Sequence, residues 1–216
     1  MDDIDKIISV LIHEIKKNNM LIVPDGISVG ISNRHIHLSE EHMQSLFGKG
    51  TELHILKELS QPGQYACKEC VTLVGPKGCI ENVRILGPTR RQTQVEILSA
   101  DCYKLGVKAP LKISGELDGT PGLVISGPKG CEKLTSGVII AKRHIHMTPQ
   151  DAAKFNCNDN DIVKVECQGE RGGILGNVVV RVTETSKLDF HIDVEEANCM
   201  GMNDGSKIII INENIK

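Results

Sequence analysis

The feature that most limits the fold is a string of short β-branched segments, each closed off by glycine, proline or a polar turn. ISVGIS, CVTLVG, NVRILG, TQVEIL, GLVIS, GVIIAKRHIHM, DIVKVEC, GNVVVRV, LDFHIDV and SKIIIIN follow one another between Ile27 and Asn212. Short runs rich in Val and Ile between turn residues are strands, and many of them at even spacing close as sandwiches or barrels. With no Trp, two Tyr and three Phe, the core has to be built from Ile, Val and Leu, which again favours strands. Two short helices interrupt the series, each announced by an N-cap. Ser39 precedes Glu40, Glu41 and His42, and Thr148 precedes Pro149, Gln150 and Asp151. The second has proline in its first turn and an acid at its third helical position.

The chain also repeats itself. RHIH occurs at 34–37 and again at 143–146. NVRILGPTRRQTQVEI begins at Asn82 and NVVVRVTETSKLDFHI at Asn177; the slot that holds Glu96 in the first copy holds His191 in the second. Each half therefore carries an RHIH strand, a helix, a strand pair and a later strand presenting a third donor. The expected fold is mainly β, two related small β-barrel domains with short capping helices, residues 21–110 forming one half and 111–216 the other. Residues 2–19 place Ile4, Ile7, Ile8, Leu11, Ile12 and Ile15 at helical spacing, with acids first and Lys16–Lys17 last. Residues 1–20 are thus read as an N-terminal amphipathic helix, either docked on the body or a partner, or serving as a detachable address peptide. GPKGC occurs at 75–79 and 127–131, off the repeat's register, and reads as turn chemistry.

In a strand, residues i and i+2 project from one face. His35 and His37 therefore point together around Ile36, and His144 and His146 around Ile145. Adjacent imidazoles repel when protonated but are compatible as neutral ligands of one cation. A third donor from a neighbouring strand, Glu96 for the first pair and His191 for the second, leaves an open position, as catalytic metal sites require. Nitrogen-rich ligation with one carboxylate suits Zn2+, with Co2+, Mn2+ and Fe2+ also compatible. If the repeats face each other, both sites fall in one cleft. Arg34 and Arg143 point to the opposite strand face, where acids are their natural partners. Arg90 and Arg91 lie in the loop feeding the Glu96 strand, where a guanidinium suits an anion such as phosphate. His13, His42 and His54 fall outside the pattern and read as surface histidines.

Other classes recede. A formal charge of −3 gives no basic field for nucleic acid, and the scarcity of aromatics removes base-stacking platforms. No run approaches the roughly 20 apolar residues of a membrane span. MDDIDKIISV is acidic where a secretory signal is basic, so the expected location is cytoplasmic and the eight cysteines are read as reduced thiols. CKEC at 67–70 lacks a second CxxC or a spaced histidine. P-loop, Rossmann and GxSxG signatures are absent. The residues alone give a mostly β, two-metal enzyme acting on an anionic substrate.

VGISNRHIHLS, QPGQYAC, VTLVGPKG, NVRILGPTRRQTQVEI, LKISGELDGTPG, GVIIAKRHIHM and HIDVEEAN occur in that order and end at Asn198. This set resembles the PduL-type phosphotransacylases, the phosphate propanoyltransferases. The resemblance implies two β-barrel domains, two Zn2+ per chain, and interconversion of acyl-CoA (propanoyl-CoA or acetyl-CoA) plus phosphate with acyl phosphate plus CoA. It implies that His35, His37 and Glu96 hold one zinc, open toward the CoA sulfur, and that His144, His146 and His191 hold the other, with waters. Arg90 would be catalytic and grip phosphate. Ser32, Asn33, Arg34, Lys57, Lys77, Arg84 and Asn198 would contact CoA. One departure is Lys112, where the family usually has Arg. Residues 1–20 resemble encapsulation peptides, so a bacterial microcompartment is the alternative location, with shell or core enzymes as partners and a homo-oligomer as the assembly. Direct attack of phosphate on the thioester is the expected chemistry. The rival readings are a dinuclear zinc hydrolase and a non-enzymatic metal-binding protein.

Overall fold

A computed structural model describes residues 26–211, together with Ile4, Ile7 and Val10. Those three are helical and exposed; the rest of the helix expected over 2–19 lies outside the described residues. The strands are β1 Ile27–Ser32, β2 His35–His37, β3 Ile55–Glu58, β4 Tyr65–Val74, β5 Cys79–Gly87, β6 Gln94–Glu96, β7 Leu111–Lys112 and β8 Val124–Ser126. They continue with β9 Cys131–Lys133, β10 Val138–Ala141, β11 His144–Met147, β12 Ile162–Cys167, β13 Gly173–Val182, β14 Asp189–Asp193 and β15 Lys207–Ile211. The described helices are α1 Glu40–Phe47, α2 Ser99–Leu105, α3 Pro149–Phe155 and α4 Val194–Met200. No described helix is long and apolar enough to cross a membrane.

The fold is mainly β and divides into two compact units. One comprises residues 32–142 with 193–195. Its strands form a curled sheet in the order β7-β10-β6-β2-β5-β4-β8-β9, with β3 added against β4. Ile36, Leu38, Leu46, Leu73, Ile85, Leu105 and Ile125 fill its core. Among the described residues 26–211, the other unit comprises 26–31, 143–192 and 196–211. It is a closed barrel, β1-β14-β11-β13-β12-β15, packed inside with Ile27, Ile145, Phe155, Val165, Val180, Phe190 and Ile208.

The sequence repeat is a repeat of strand pairing. β2 lies parallel to β5 and antiparallel to β6, and β11 lies parallel to β13 and antiparallel to β14. Asn82 and Asn177, the residues that open the two copies, both adopt left-handed backbone, φ 57° and 54°. Each sits where the ladder to the preceding strand shifts register, between Val83 and Ile80 in one copy and between Val178 and Leu175 in the other. A bulge needs such a residue, and Asn tolerates it better than most. The expected caps are in place. Ser39 Oγ accepts the His42 N–H (3.2 Å), while Thr148 and Asp151 bond each other reciprocally, both at 3.1 Å. Helix α2 starts at Leu98, whose N–H donates to Asp101 (3.0 Å), and its exposed first-turn N–H groups at Ser99 and Ala100 donate to Glu195.

Both GPKGC segments are tight turns, closed by Gly75 N–H to the Gly78 carbonyl and by Gly127 N–H to the Gly130 carbonyl, each 2.9 Å. Both also reach a helix end: Lys77 N–H donates to the Leu105 carbonyl and Lys129 N–H to the Leu46 carbonyl. The glycine makes this approach possible, because a Cβ on Gly127 would lie 2.6 Å from the Leu46 carbonyl oxygen. Gly127→Ala is expected to cost about 1–3 kcal/mol through overpacking, about 2–4 °C of melting temperature per kcal/mol. Gly176→Ala is the control, since its Cβ would meet nothing closer than 4.0 Å; thermal melts of the two variants check the difference.

Candidate functional site

In the sheet unit, the β2–β6 register sets His35 opposite Glu96 and His37 opposite Gln94. His35, His37 and Glu96, all buried, thereby each bring a donor atom to within 4.8 Å of the others. His35 donates from Nδ1 to the Asn33 carbonyl (2.8 Å), which turns Nε2 toward Glu96 Oε2 at 3.4 Å. Nδ1 of His37 is buried with no hydrogen-bond partner. Leaving such a nitrogen unpaired costs about 1–3 kcal/mol, so a buried orphan beside two other donors is best explained by a missing ligand. The donor set fits a divalent transition metal such as zinc.

Electrostatics agree. Burial, then the neighbouring His35 and Arg90 charges, push the pKa of His37 down to about 3. Burial would raise the carboxyl of Glu96, but His35, His37 and Arg90 together hold it well below the usual carboxylate range. Burial likewise lowers His35, yet the Glu96 carboxylate more than offsets that and the net direction is upward.

In the barrel unit, β11 and β14 set His144 opposite His191 and His146 opposite Asp189. His144, His146 and His191 form the second group of donors within 4.8 Å. Nε2 of His144 and Nε2 of His146 are 3.0 Å apart, and His191 donates from Nε2 to Asp189 Oδ2 at 3.0 Å. Burial, then His144, His191 and Arg181, push His146 down to about 2. A pH dependence follows for the metal-free protein. Unfolded histidine titrates near 6.5, so below that value the unfolded chain binds more protons at His37 and His146 than the folded one does. Stability is full above about pH 6.5 and falls as the solution is acidified; His35, whose pKa is raised, acts in the opposite sense. Urea melts in chelator at pH 7 and pH 5 should show the loss, and His37→Gln should flatten it.

Arg90 stands beside the first trio. Its N–H donates to the Leu38 carbonyl (2.8 Å), its backbone bridges Ser39, and its Nη1 donates to Ser114 Oγ (3.1 Å). Ser114 Oγ also accepts from Gln94 Nε2 (2.8 Å), which in turn donates to Glu96 Oε1 (2.6 Å). The Gly115 N–H to Gln94 Oε1 bond (2.7 Å) fixes which way that buried amide faces. One chain of bonds therefore joins the arginine to the glutamate of the trio. Arg91 is exposed. The expected acid partners of the other arginines are present: Arg34 Nε bonds Asp101 (2.8 Å) and Arg143 bonds Glu196 (3.2 Å).

The remaining sequence-derived candidates scatter. Ser32 ends β1 and Asn33 supports His35; Lys57 is exposed on β3; Lys77 is in the first GPKGC turn; Lys112 is on β7. Arg84 spends its guanidinium on the carbonyls of Cys67 and Lys68 (3.0 and 2.8 Å). Asn198 is exposed on α4, in the barrel unit. His54 is exposed and pairs with Glu69, as a surface histidine should. His42 is not a surface residue: it is half-buried, with Nδ1 2.8 Å from Thr93 Oγ1, because its helix packs onto the β6 entry. His13 lies outside the described residues. All eight cysteines are unpaired thiols, and burial raises Cys67 and Cys167 to about 11, which leaves them inert. Gln94, Ser114 and Asp189 were missed. Gln94 and Asp189 had a visible signal, since each stands two residues before a candidate ligand on the same strand face; Ser114 had none.

A family described as phosphate propanoyltransferase matches residues 28–203. The chain belongs to that family. Named phosphate propanoyltransferases are similar over most of their length. The protein of Thermotoga maritima is 52% identical over 203 residues, covering 93% of this chain and 97% of its own. That of Clostridioides difficile is 48% identical over 208 residues, covering 96% and 97%. A Rhodopseudomonas palustris relative is 54% identical over 177 residues, covering 82% and 78%. For a phosphate propanoyltransferase, a half-buried arginine-serine pair beside a buried carboxylate and two imidazoles is the arrangement to explain.

Proposed function

We propose that the protein is a zinc-dependent phosphate acyltransferase, interconverting propanoyl-CoA or acetyl-CoA plus phosphate with the acyl phosphate plus CoA. The observation that carries the reading is the orphaned Nδ1 of His37 inside a trio of donors, joined through Gln94 and Ser114 to Arg90. His35, His37 and Glu96 would hold one zinc, and His144, His146 and His191 the other. Zinc bound there supplies a Lewis acid that polarises a thioester carbonyl and favours a departing thiolate. Arg90 presents a fork matched to phosphate oxygens. Its tie to Ser114 sets that fork's direction before substrate arrives, so that positioning supplies much of the rate. Ser114 already accepts from Arg90 and Gln94, which leaves its own proton to donate to a phosphate oxygen. Phosphate then attacks the thioester directly, since a Glu96 engaged as a ligand is a poor nucleophile.

Ser32, Asn33, Arg34, Lys57, Lys77, Arg84 and Asn198 would contact CoA. Residues 1–20 would address the enzyme to a microcompartment or to a homo-oligomer. Thiol release from propanoyl-CoA and acetyl-CoA, with and without phosphate, tests the function. Phosphate-dependent release supports it; release without phosphate means a hydrolase, and no release means a binding protein.

A further inference from the structure

Resting on the metal reading of the second trio, we propose that Asp189 is the carboxylate of that centre, holding His191 in the tautomer that offers Nδ1 to the cation. The repeat makes the two centres near-copies in position but not in charge. In the first, the acid is a member of the trio, Glu96, and the residue two places before it is a neutral amide, Gln94, bonded to it at 2.6 Å. In the second the roles are exchanged. The imidazole of His191 occupies the slot, and the acid stands two places before it, 3.0 Å from Nε2. Three imidazoles bring no negative charge of their own. Asp189, buried on the same face of β14, provides it.

A carboxylate accepts and does not donate, so Nε2 of His191 carries the proton and Nδ1 the lone pair. A ligand histidine held this way keeps one tautomer and one ring orientation and is the more basic donor. The neighbouring strand is shaped for the pair. A Cβ on Gly30 of β1 would lie 3.0 Å from both Asp189 Oδ2 and His191 Nε2. Gly30 has ordinary backbone geometry, so it is space and not backbone freedom that calls for glycine there.

The test is zinc affinity, measured by competition against a chelating dye, for wild type, Asp189→Asn and Gly30→Ala, together with long-range proton–nitrogen spectra of the zinc-loaded wild type. In both variants one of the two zinc ions should be held about 10–100-fold more weakly, while the ion at His35, His37 and Glu96 keeps its wild-type affinity. The spectra should show His191 protonated on Nε2 with Nδ1 shifted by metal. Unchanged affinity in Asp189→Asn, or metal on Nε2 of His191, overturns the proposal, and the spectra decide it even if neither variant folds. A wild-type chain that takes up no zinc overturns instead the metal reading on which it rests.

Discussion

Glu96→Gln is expected to reduce phosphate-dependent CoA release from propanoyl-CoA about a thousand-fold, the equivalent of several kcal/mol of transition-state stabilisation by a metal. The substitution keeps the side chain's volume and lets its carbonyl still accept from Gln94, so the fold should survive. What it removes is the one formal negative charge among His35, His37 and Glu96. Without it, a divalent cation in that buried trio has no compensating charge, and His35 loses the partner that raises its pKa. Steady-state kinetics with circular dichroism on the same sample separate loss of chemistry from loss of structure. A variant that retained a tenth or more of wild-type activity would mean that Glu96 is not a ligand on which the reaction depends.

The second large effect concerns Arg90. Arg90→Lys retains the positive charge but replaces a planar fork with a point charge on a flexible stem. It also gives up the Nη1 bond to Ser114, so the remaining cation is no longer aimed. The expected loss in kcat/KM for phosphate is about a hundred-fold, the scale of removing one aimed donor from a transition state, with the KM for acyl-CoA little changed. Equal effects on both substrates would point to general damage, and an unaffected phosphate KM would remove Arg90 from the phosphate site.

Much of this was legible in the chain because the repeat doubles each signal. The segments read as strands became strands, including GVIIAKRHIHM, which breaks at Lys142–Arg143 into β10 and β11. The third donor of each trio could be placed from a shared slot, since Asn82 and Asn177 start the two copies in the same left-handed bulge. What stayed hidden was tertiary. Strands β3, β7 and β9 are two to four residues long and carry no alternation that a sequence could show. Helix α2 is capped at Leu98, which offers no side-chain acceptor; its carboxylate comes from Asp101 three residues on. Ser114 links Arg90 to Gln94 from the loop after β7, and nothing in the intervening sequence announces it. Arg84 falls on a strand whose partner slips register between Ala66 and Cys70, which exposes the carbonyls that its guanidinium occupies. Register breaks of this kind are set by packing rather than by residue pattern.

The most direct measurement is elemental analysis of protein purified without a histidine tag, on wild type, His37→Ala and His146→Ala. The account predicts two zinc ions per wild-type chain, one for each donor trio, and one in each variant. A wild-type chain that carries no stoichiometric transition metal yet still releases CoA in a phosphate-dependent manner would contradict it.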